Sequence, residues 1–112
     1  MKKLTRVSAI ALFLASMTVF AEPHLEEAIT HTAAAVEQGK TGHSAYLVEH
    51  AKPALEHAMA ASVVAKGHSK TKIEDAIKDL EEAIKHGELL HADVATTYVE
   101  AALEDLRVAN KK

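Results

Sequence analysis

The sequence predicts an all-α protein: an antiparallel up-down four-helix bundle built from two duplicated helical hairpins. Three observations predict it. No stretch alternates apolar and polar residues long enough to argue a strand, and the chain reads as one helical pattern after another. The chain matches itself without a gap at an offset of 48 residues. Leu25-Glu26-Glu27-Ala28-Ile29 falls on Ile73-Glu74-Asp75-Ala76-Ile77, while Ala35, Gly39, His43 and Ala54-Leu55-Glu56 fall on Ala83, Gly87, His91 and Ala102-Leu103-Glu104. Two copies of a hairpin with short turns pack most simply as an antiparallel bundle. Finally, one heptad lettering with a, d and e facing inward fits all four helices.

In chain order, residues 1–21 read as a secretory signal. Lys2, Lys3 and Arg6 supply the basic start, residues 7–20 the apolar stretch, and Val19-Phe20-Ala21 a cleavage site after Ala21. A membrane anchor needs roughly 18 uninterrupted apolar residues, whereas Ser8, Ser16 and Thr18 break this shorter run. Residues 22–112 then form the bundle, with hairpin repeats at 22–67 and 70–112. The first helix spans about 23–38, with Pro23 at N1, Glu26 and Glu27 at the positive end of the dipole, and Gly39 as a C′ stop. Its inner face is Leu25, Ala28, Ile29, Thr32, Ala35 and Val36. The second spans about 43–66 and is stopped by Gly67. Pro53 lies inside it and predicts a kink rather than a break, because the apolar phase holds on both sides. Its face is Ala51, Ala54, Leu55, Ala58, Ala61 and Ser62. Gly67-His68-Ser69-Lys70 reads as a linker. The third helix opens on the capping box Thr71-Lys72-Ile73-Glu74 and stops at Gly87, burying Ile73, Ala76, Ile77, Leu80, Ala83 and Ile84. The fourth spans about 88–109 and buries Ala92, Ala95, Val99, Ala102, Leu103 and Leu106.

Composition narrows the function. The chain has 13 basic and 16 acidic residues, and losing three cations with the signal leaves 10 against 16, a net −6. Such a chain lacks the basic footprint of a nucleic-acid binder and suits the attraction of cations. With no cysteine there are no disulfides, thiolate metal sites, Cys–His catalysis or covalent haem attachment. After the signal the only aromatics are Tyr46 and Tyr98, so small aliphatic side chains must fill the core.

The chemistry lies in the histidines. His43, His50 and His57 recur every seven residues, two helical turns less about 20°, and so share one stripe. Under the common lettering His24, His31, His43, His50, His57, His86 and His91 all fall at g, the edge of the core, and only His68 does not. Folding the first hairpin about its turn brings together residues whose numbers total 81, which pairs His24 with His57 and His31 with His50. In the second hairpin the total is 177, which pairs His86 with His91. Two imidazoles across a seam are half of a divalent metal site, and oxygen completes it. Glu27 shares a face with His24 and His31, and Glu82 with His86; Glu49 and Glu56 point about 100° away. Imidazole with carboxylate suits Cu(II), Ni(II) and Zn(II), Cu(II) most tightly. A bundle whose histidines act as a pH sensor, or are incidental to a structural role in the envelope, is the competing reading.

Catalysis has little support. No serine or threonine joins the stripe in a triad, no phosphate loop appears, and the Glu-to-His spacings are four rather than the three of di-iron bundles. Cleavage after Ala21 would leave Glu22-Pro23-His24, but Pro23 has no amide proton to give to an amino-terminal copper site. An alanine-rich exported chain of this size, without cysteine and with Val48-Glu49-His50-Ala51 followed by Leu55-Glu56-His57-Ala58, resembles the small metal-binding proteins of ammonia-oxidising bacteria. The resemblance covers essentially the whole mature chain. It implies a periplasmic, monomeric four-helix bundle, free of the membrane once the signal is cleaved. Such a bundle binds several divalent ions, Cu(II) preferentially, in copper scavenging, storage or detoxification. The chain departs from a uniformly histidine-rich pattern in its second hairpin, where Tyr98 and Asp105 match His50 and His57.

Overall fold

A computed structural model describes residues 23–111, and the expected signal at residues 1–21 lies outside the described residues. Four helices make up the fold of the described residues: α1 Pro23–Lys40, α2 Ser44–Val64, α3 Gly67–Glu88 and α4 Ala92–Ala109. Among the described residues there is no strand, and no helix is long and apolar enough to cross a membrane. Each helix packs beside the next, and α4 returns to α1; across the diagonals, α2 touches α4 while α1 and α3 stay apart. His24 at the start of α1 meets His57 late in α2, whereas Gly39 near its end lies against Leu47 early in α2. Ser69 Oγ donates to the Ala109 carbonyl at 3.0 Å, tying the start of α3 to the end of α4. The helices of each hairpin therefore run in opposite directions.

Apart from Ala92, the a and d positions of the four inner faces are buried, as the lettering requires. Of the e positions, Val36 is buried, whereas Ile29, Leu55, Ser62, Ile77, Ile84 and Leu103 form a half-buried shoulder, as does Ala92 at a. The same lettering carried one turn back places Leu47 and Val48 in the core, and Leu47 is among the largest fully buried side chains. Among the described residues, eleven of the nineteen buried apolar side chains are alanine. Each alanine contributes little apolar area, so most of the packing energy falls on Leu47, Ile73, Leu80, Val99 and Leu106. The buried Thr32 hydroxyl is satisfied locally, donating to the Ala28 carbonyl at 2.6 Å.

Three local expectations are corrected. Gly39 and Gly87 do not stop their helices; both are buried inside them at a positions. A methyl group at Gly39 would run into Thr96 and Leu47, and one at Gly87 into Val48. Thr96 lies 48 residues after Val48, so each repeat seats its glycine against the equivalent place on its neighbour. The stops come three residues later, in two Schellman turns of the same form. His43 N–H donates to Gln38 O and Gly42 N–H to Gly39 O, each at 3.0 Å, and His91 to His86 and Leu90 to Gly87 repeat the pattern at 2.9 and 3.0 Å. The segment 67–70 is not a linker but the first turn of α3, since only Ala65 and Lys66 are extended. Thr71 is accordingly no cap, and its hydroxyl donates to the Gly67 carbonyl at 3.3 Å within the helix. α2 continues through Pro53.

Candidate metal centre

Both seams can be read as three rungs of facing g residues. In the first hairpin, where numbers total 81, the rungs are His24/His57, His31/His50 and Gln38/His43. In the second, where they total 177, they are Lys72/Asp105, Asp79/Tyr98 and His86/His91. Every histidine pair expected from the sequence is brought together. His24 Nδ1 lies 3.0 Å from His57 Nδ1, one ring donating and the other accepting. The His31 and His50 rings stand 6.1 Å apart between centroids, and His86 and His91 stand 5.8 Å apart.

The first seam goes further than pairs. His31 also lies parallel to His57, with planes 6° apart and centroids 5.8 Å apart, and His24 and His57 are 5.2 Å apart. The four rings thus make one zigzag ladder in the order His24, His57, His31, His50. Glu27 Oε1 reaches to 3.9 Å from His31 Nε2 across one turn of α1. Glu27, His31 and His57 each offer one ligand atom, and these three atoms lie within 4.8 Å of one another. This carboxylate and two imidazoles from two helices are the closest approach to a metal-binding donor set among the described residues. The side chains of His31 and Glu27 are 32% and 58% exposed, so an ion can reach them from solvent without the bundle opening.

The remaining candidates divide. Glu82 Oε1 lies 3.7 Å from His86 Nε2, repeating the Glu27–His31 spacing, and Tyr98 stacks on His86 at 5.7 Å and 8°. His86 Nδ1 is buried without a hydrogen-bond partner among the described residues. His86 and His91 meet because they are the C3 and C″ residues of the Schellman turn, which its hydrogen bonds draw together. His43 stands apart from the other imidazoles: its Nδ1 contacts Thr41 Oγ1 at 3.0 Å and Gln38 Oε1 at 3.3 Å, with Tyr46 edge-on. His68 is exposed in the first turn of α3, and Glu49 and Glu56 are exposed on α2.

The other two rungs of the second seam carry no imidazole. Lys72 Nζ lies 3.6 Å from Asp105, so an ammonium of the chain itself fills the level that His24 and His57 occupy in the first hairpin. At the level of His31 stands Asp79, whose carboxyl is held above the usual carboxylate range by burial first and then by Asp105, Asp75 and Glu82. Gln38 and Lys72 were not singled out from the sequence, although the totals of 81 and 177 place both.

Chemically, the first seam offers neutral nitrogen donors backed by one carboxylate oxygen, in a negatively charged molecule. That set suits a borderline divalent first-row cation, and with no thiolate it does not select a soft monovalent one. A family model described as small metal-binding protein matches residues 1–109 of the chain. No curated protein matches it.

Proposed function

The chain belongs to the small metal-binding protein family, and from that premise we propose that it is an exported, periplasmic protein that reversibly chelates divalent ions, Cu(II) ahead of Ni(II) and Zn(II), for copper scavenging, storage or detoxification. The observation that carries the reading is the meeting of Glu27, His31 and His57 across the α1–α2 seam. His24 and His50 extend that site along the ladder, and Glu82, His86 and His91 form a smaller one at the second turn. His43 serves as a peripheral ligand beside the first turn.

The preference for Cu(II) rests on the donor set and the Irving–Williams order. Imidazole ligates only when neutral, so protons compete with the ion and affinity falls as the pH drops through the ordinary imidazole range near 6.5. Isothermal titration of the metal-free protein with Cu(II), Zn(II) and Ni(II), at neutral pH and near pH 5, tests the reading. Saturable binding of two or more Cu(II) ions, tighter than Zn(II) and lost at pH 5, is the expected result. No saturable heat with any of the three ions would remove it and leave a plain helical bundle, its histidines to be tested as a pH switch.

A further inference from the structure

We propose that the first hairpin takes up two divalent ions as a coupled pair, with His57 bridging them through its two ring nitrogens; this rests on the metal-binding reading above. His57 sits between His24 and His31 in the ladder and has two ring nitrogens to offer. Toward His24 the two Nδ1 atoms are 3.0 Å apart. With metal–nitrogen bonds of about 2.0–2.1 Å, that is the span of two adjacent ligands on one ion at roughly a right angle. Replacing the shared proton by a cation therefore asks for a small adjustment of two partly exposed rings.

On its other side His57 belongs to the cluster with Glu27 and His31. With Nδ1 committed to the His24 ion, Nε2 is the nitrogen left for this second ion. Glu27 supplies its oxygen, His31 a further nitrogen, and His50 stands next along the ladder at 6.1 Å from His31. The two ions would lie on the order of 6 Å apart, one metal–nitrogen bond of about 2 Å on either side of the ring. Binding two ions to the neutral pair releases one proton to solvent: His57, bridging through both nitrogens, keeps none, and His24, ligating through Nδ1, keeps its own on Nε2. The second hairpin cannot form such a pair, because Lys72, Asp79 and Asp105 occupy the levels of His24, His31 and His57.

Electron paramagnetic resonance of the protein titrated with Cu(II) at neutral pH tests the pairing. His86→Ala and His91→Ala are introduced so that the second turn does not compete for copper. The expected spin count rises to one copper at one equivalent, then falls well below one at two equivalents, while equilibrium dialysis finds two coppers bound. Adding His57→Ala, or separately His24→Ala, should leave every bound copper spin-visible, with circular dichroism unchanged. A spin count equal to bound copper at two equivalents, or uptake that ends at one ion, would overturn the bridge and leave metal binding standing. No bound copper at all would overturn both.

Discussion

Leu90 holds φ at +64° at the C′ position of the second turn, where the first turn has Gly42 at +79°. A left-handed backbone costs a residue with a Cβ roughly 1–2 kcal/mol that glycine does not incur. The leucine gains nothing in return from burial, since its side chain is 77% exposed. Leu90→Gly is therefore expected to stabilise the protein by about 1 kcal/mol, read as a rise in Tm of several degrees. Asp79 is a second residue working against the fold. A carboxyl whose pKa is raised binds its proton more tightly folded than unfolded, so it lowers stability once it ionises and this penalty fades as the pH falls. Asp79→Asn should raise Tm at pH 7, and the gain should shrink as the pH approaches the ordinary carboxylate value of 3.8. The heptad position of each histidine was legible in the sequence because seven-residue spacing is preserved by any straight helix. The strain at Leu90 was not, since nothing in a leucine announces a left-handed backbone.

The glycines show what sequence reading misses at the scale of an element. Gly39 and Gly87 look like helix stops because glycine follows the last periodic residue, but their lettering is a, a core position, and the true C′ residues are Gly42 and Leu90. Glycine at a lets α1 close on α4 and α3 on α2 without room for a methyl group. In an exposed helix Gly→Ala gains about 1 kcal/mol from propensity. Gly39→Ala should do the opposite, because the added carbon meets Thr96, whose hydroxyl is held by the Ala92 carbonyl at 2.6 Å. Overpacking of this kind costs typically 1–3 kcal/mol. Chemical denaturation should place the variant below the wild type, and a midpoint above it would show that the close approach is not what glycine is there to allow. The start of α3 was misplaced for a related reason. The capping-box pattern at Thr71 is local, whereas the hydrogen bonds of Ser69 to Ala109 and of Lys70 Nζ to the Ser62 carbonyl tie the earlier turn into the bundle.

Over the whole molecule, two hairpins of one pattern carry different cargo at equivalent levels. The first keeps imidazole pairs on two of its three rungs and a lone histidine on the third. The second keeps a pair only at its turn and places its own ammonium, Lys72, against Asp105 lower down. The pairs themselves followed from the sequence because an antiparallel hairpin fixes which residues share a level. The closer contact of His57 with His31, one level away, did not, because it depends on how each ring leans along its helix. That lean gathers Glu27, His31 and His57 into one donor set. The most direct test is Cu(II) titration calorimetry on the wild type, on a His31→Ala/His57→Ala variant and on His68→Ala, all at neutral pH. The double variant should lose the tightest site, with its affinity at least tenfold weaker, about 1.4 kcal/mol or more, while His68→Ala titrates like the wild type. A double variant that binds copper as the wild type does would contradict the account.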